Sequence, residues 1–123
     1  MNESILNSIK SMLGPAEDYD DFTTDILFHI NTALSIITQM GVGPTNGFRV
    51  ADASDTWNEF IPADRYDLET VKSYVYLRVK LIFDPPPNAA ALESIKEMIK
   101  EFEWRLNVAV ESTHTTEGEE EIY

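Results

Sequence analysis

Cysteine is missing from the chain altogether. That removes disulfide frameworks, thiolate metal or cluster sites and cysteine nucleophiles together. Basic residues are scarce: nine Lys and Arg stand against 22 Asp and Glu, for a net charge of −13 over 123 residues. Holding duplex DNA by its phosphates requires a basic surface that releases counterions, and the nine cations are not clustered. The acidic balance by itself fits a plain soluble acidic protein, and it leaves two relations to DNA open, a conduit that must not stick to it and a mimic that competes with it. Long apolar runs are lacking too. None approaches the roughly 20 residues of a membrane span. The opening stretch MNESILNSIKSMLG carries Glu3 and serines where a secretory signal has a basic start and an unbroken apolar run. The expectation is one soluble, cytosolic domain with its own hydrophobic core.

What is present is helical periodicity. Residues 89–111 place Leu92, Ile95, Ile99, Phe102, Leu106 and Val110 at steps of three and four, a single stripe on a helix. Residues 64–83 form the preceding arm, and the two are separated by Asp84-Pro85-Pro86-Pro87-Asn88. Proline disfavours helix in the residue before it and donates no backbone N–H, so the first arm stops near Asp84. Asn88 is placed to cap the second arm, and Asp64, after Pro62, to cap the first. The prediction is a long antiparallel αα-hairpin. Its first arm is apolar on more than one face from Tyr74 to Phe83, so it is either central in its bundle or covered by a second molecule.

Two further helices are predicted, over about 3–13 and 21–40, giving an all-α bundle. The first carries Ile5, Leu6, Ile9, Met12 and Leu13 on one face and ends at Gly14-Pro15. It is too short to stand alone in water and must dock on its own domain or on a neighbour. Ala16 to Asp21 forms an acidic linker, with Asp20 and Asp21 placed to cap the second helix. That helix carries Phe22, Ile26, Ile30, Ala33, Leu34 and Ile37, with Gly41 as its terminator. Residues 41–62 are irregular, and Trp57, Phe60 and Ile61 fall on one side of a single predicted turn. Those aromatics either staple the loop to the bundle or form a contact surface. The helical domain ends near residue 111. Residues 112–123 are acidic, with Ile122 and Tyr123 as the only large apolar anchors, and disorder is expected there.

No catalytic constellation emerges. GVGPTNG lacks the Lys and flanking strand of a phosphate loop. His29 and His114 are the only histidines and lie far apart in sequence, and Asp25 with His29 is half a metal site at best. Glu93, Glu97 and Glu101 share a helix face, as carboxylates do in metal-dependent phosphohydrolases, but Lys96 and Lys100 beside them make ordinary surface pairing the better account. No cofactor, metal or catalytic residue is expected.

Five segments in order carry a resemblance. They are DILFHIN, QMGVGPTNGF, TWNEF, YVYLRVKLIFDPPPNAA and EFEWRLNVAVE. Together they resemble the head–tail connector (adaptor, or head-completion) proteins of tailed bacteriophages and prophages, over roughly residues 2–111. The resemblance implies a non-enzymatic structural subunit. It would form a ring of about a dozen copies that docks below the portal, extends the DNA channel and receives the next head-completion or tail protein. Duplex DNA would pass through without sequence-specific binding. Assembly would take place in the host bacterial cytoplasm and the product would sit at the head–tail junction of the virion, with no membrane involved. Subunit or portal contacts are expected at Trp57, Phe60, Tyr74, Tyr76, Arg78, Trp104, Ile122 and Tyr123. The competing reading is an acidic DNA-mimic inhibitor of a DNA-binding protein.

Overall fold

The computed structural model describes residues 3–14, 22–44, 46–61 and 68–122, with side chains through Val110. Among the described residues there are five helices and no strand: α1 (Ile5–Leu13), α2 (Thr23–Gln39), α3 (Trp57–Phe60), α4 (Leu68–Phe83) and α5 (Ala89–Ile122). This is the expected all-α bundle with the hairpin as its frame. The expected caps Asp20, Asp21 and Asp64, the acidic linker and Pro62 lie outside the described residues.

Helix ends follow the local chemistry. Ser4 caps α1, its Oγ accepting from the Asn7 N–H at 3.2 Å. Asn88 caps α5 as expected, its Oδ1 accepting from the Ala90 and Ala91 N–H groups at 2.7 and 3.1 Å. α2 ends in a paired reverse bond: the Gly41 N–H reaches the Thr38 carbonyl and the Val42 N–H reaches that of Ile37, both at 3.0 Å. Gly41 sits at φ 104°, where only glycine is unstrained, and a Cβ there would lie 3.0 Å from Val110 on α5.

α4 is the middle of the molecule. α2 packs along one side of it and α5 along another, while α1 lies across α2 and α4. Val71, Tyr74, Val75, Leu77 and Val79 of α4 are buried, and so are Ile26, Ile30, Leu34 and Ile37 of α2 and Ile95, Ile99, Leu106 and Val110 of α5. The fold places α4 centrally, which accounts for these buried residues, while Ile82 near its end stays 53 % exposed. The stripe on α5 lies where the periodicity places it.

The irregular stretch is tied down rather than loose. Its Val42, Val50, Trp57, Phe60 and Ile61 join the core. The Trp57 Nε1–H donates to Ser8 Oγ at 2.8 Å, and Ser8 Oγ–H donates to the Ile5 carbonyl at 3.0 Å. Ile5 N–H donates to the Asp55 carbonyl and Trp57 N–H to the Glu3 carbonyl, at 3.0 and 3.1 Å. α1 thus docks on its own domain. The side chains of Thr56 and Glu59 close a capping box over α3.

One boundary differs from expectation. The helix predicted to end near Glu111 continues as α5 to Ile122. The extension runs through Ser112, Thr113, Thr115, Thr116 and Gly118, which are weak helix formers, so local propensity does not predict it.

Candidate functional site

Among the described residues, large apolar side chains stay exposed on α1, α2, α4 and α5, and the two most exposed, Phe28 and Trp104, lie on the outward faces of α2 and α5. Trp104 is 65 % exposed and projects from α5 opposite the Ile95–Ile99–Leu106 stripe. Val108, one turn on, is also exposed, and so is Glu101, one turn before, which pairs with Arg105 at 2.7 Å. Tryptophan is enriched at interface centres, which makes this exposed indole beside a charged pair the contact candidate on α5.

On α2, Phe28 is 68 % exposed, at a position opposite that helix's buried isoleucines. It borders an open groove of about 580 Å³ between α2 and residues 49–51. Leu27, Ile36 and Val50 supply apolar lining, and Thr24, Ser35 and Arg49 supply polar lining. The far wall is fixed by Asn31. Its Nδ2–H donates to the Val50 carbonyl at 3.0 Å and its Oδ1 accepts from the Val50 N–H at 2.7 Å. The Asp55 carboxylate holds the next turn by accepting from Ala51 N–H at 2.7 Å. The groove is therefore pre-formed.

The residues singled out from sequence separate into inner and outer groups. Tyr74 is not on an outer face: it is fully buried. Its hydroxyl donates to Glu103 Oε2 at 2.8 Å, and burial, followed by that bond, pushes the phenol pKa above its ordinary value. Trp57 and Phe60 are likewise core residues, where they staple the loop. The Phe60 ring packs edge-on against Phe48 at 5.6 Å, and a Cβ on Gly43 would strike it at 2.5 Å. Tyr76 and Arg78 are half-buried, Arg78 lying 3.9 Å from the Glu103 carboxylate. Of those whose side chains are described, Trp104 alone is broadly exposed. Ile122 lies beyond the residues whose side chains are described, and Tyr123 lies outside the described residues.

Sequence reasoning missed Glu103, Phe28 and Arg49. Phe28 carried a usable signal, a large aromatic on the polar side of a clean helical stripe. Glu103 carried none, because its partner Tyr74 is on a different helix. His29 packs edge-on against Phe28 at 5.5 Å. Among the described residues no three His, Asp or Glu side chains gather to hold a metal, and no helix is long and apolar enough to cross a membrane.

Comparison with curated proteins finds no match, and comparison with solved structures finds none either. The model of the family described as phage connector protein matches residues 5–113, and the chain belongs to that family.

Proposed function

We propose that the chain is a structural subunit of a connector ring that docks beneath the portal, continues the DNA channel and joins capsid to tail. The observation that carries this reading beyond family membership is the split between a closed core and two outward aromatic faces. A domain that satisfies its own core and still shows an indole and a phenyl ring to solvent on different helices is suited to touching more than one neighbour. The net charge of −13 supports the second half of the proposal. An acidic wall repels the phosphates of duplex DNA and lets it slide without adhering. The role is assembly, with no reaction assigned.

The DNA-mimic alternative gains no support. Such a mimic needs a double row of carboxylates at phosphate spacing, whereas acids on the hairpin are interleaved with Lys and Arg, as in the Lys80–Asp84, Arg78–Glu103 and Glu101–Arg105 pairs.

Native mass spectrometry tests the proposal. The chain alone at high concentration, or mixed with its cognate portal protein, is expected to give a closed multimer of about a dozen copies. Monomer in both samples contradicts it.

A further inference from the structure

We infer that copies of this chain join head to tail, with the Trp104 face of α5 on one copy seated in the groove beside Phe28 on α2 of the next. The inference rests on the ring reading above and names the two surfaces that would build it. Three features lead to it.

The first is placement. α2 and α5 flank α4, and Phe28 and Trp104 lie opposite their own helices' buried stripes. The two faces sit on different helices, so one copy presents two distinct surfaces to its neighbours. A contact between unlike faces generates a ring when its rotation closes, whereas a contact between like faces stops at a dimer.

The second is shape and size. Trp104 is a protruding aromatic and the groove is a concavity of about 580 Å³ with apolar lining at Leu27, Ile36 and Val50. An aromatic side chain offers roughly 150–250 Å² for burial, the right scale for an anchor in such a pocket. The groove's rigidity comes from the Asn31–Val50 pair, so little ordering has to accompany docking.

The third is charge. Arg49 lines the groove and forms no ion pair among the described residues. Glu97 and Glu101 are exposed on α5 at the same side as Trp104, and Glu97 is likewise without an ion pair among the described residues. Seating Trp104 in the groove brings these carboxylates to the guanidinium rim. In a chain of net charge −13, an exposed cation at the mouth of an apolar groove marks where an acidic face can approach against the general repulsion.

The absence of cysteine makes the test direct. Val108→Cys marks the Trp104 face and Ser35→Cys marks the groove, both at exposed positions. The doubly substituted full-length chain, treated with a short bismaleimide, is expected to give a ladder of covalent multimers. A mixture of the two single variants is expected to stop at a covalent dimer. Adding Trp104→Glu is expected to lower the cross-linked yield about tenfold or more. Arg49→Glu is expected to lower it by less, with the remaining yield less sensitive to salt.

Covalent dimers from the Val108→Cys variant alone would overturn the head-to-tail arrangement in favour of like-face pairing. Rings visible by electron microscopy without a covalent ladder would overturn this pair of faces and leave the ring reading standing. No multimer by native mass spectrometry, even with the portal protein, would remove the ring reading and this inference with it.

Discussion

The two arms of the hairpin, α4 and α5, differ in how they use their apolar residues. α4 is apolar nearly all round and buries Val71, Tyr74, Val75, Leu77 and Val79 within one chain, leaving Ile82 exposed near its end. α5 carries one narrow stripe and leaves Trp104 and Val108 in solvent. Excess apolar content in a helix thus reports a central position. A single large residue on the polar side of an otherwise clean stripe is not part of that packing, and in a connector-family chain it is a candidate contact. In this molecule the quieter arm is the better candidate for assembly.

Substitutions at α4 and α5 test that contrast. Tyr74→Ala has the largest expected effect, removing a fully buried ring and leaving a cavity. Loss of about 3–5 kcal/mol is expected from denaturant unfolding. Gly43→Val comes next. It combines φ +90° with a clash against Phe60 and is expected to cost about 2–4 kcal/mol by the same measurement. Tyr74→Phe keeps the ring but removes the donor to Glu103, and about 1–2 kcal/mol is expected. Trp104→Ala is expected to change monomer stability by no more than about 0.5 kcal/mol. A Trp104→Ala loss as large as that of Tyr74→Ala would erase the distinction between the arms.

Tyr74 also predicts a pH dependence. Its folded pKa is raised above the unfolded value of about 10. Below that pH both states keep the phenolic proton and the stabilisation is complete. Above it the unfolded chain releases the proton more readily than the folded one, so stability falls as pH rises. Denaturation midpoints measured on either side of about pH 10 should show this fall in the parent chain and a flatter profile in Tyr74→Phe.

Much of the fold was legible because it rests on local rules. The α5 stripe, the Asn88 cap and the Gly41 terminator each depend on neighbours within a few residues. The side that Tyr74 faces was not legible. Its position within an all-round apolar helix is decided by where α2 and α5 pack, which periodicity does not encode. The Trp57–Ser8 bond joins residues 49 positions apart, and nothing local marks Ser8 as its acceptor. The helix past Glu111 was missed because nothing local marks it: Ser112, Thr113, Thr115, Thr116 and Gly118 are weak helix formers. Of the candidate contact residues, Trp104 was named from sequence, but Phe28 and the Asn31-braced groove required the tertiary placement of residues 49–51.

The central claim is that α4 serves folding and the outer face of α5 serves assembly. The chain has two tryptophans, one buried and one exposed, which makes the test spectroscopic. Trp57→Phe leaves Trp104 as the sole indole, and its quenching by acrylamide can be measured in the monomer and in the assembled fraction. The account predicts ready quenching in the monomer and strong protection on assembly. Trp104 quenched equally in both, or already protected in the monomer, would contradict it.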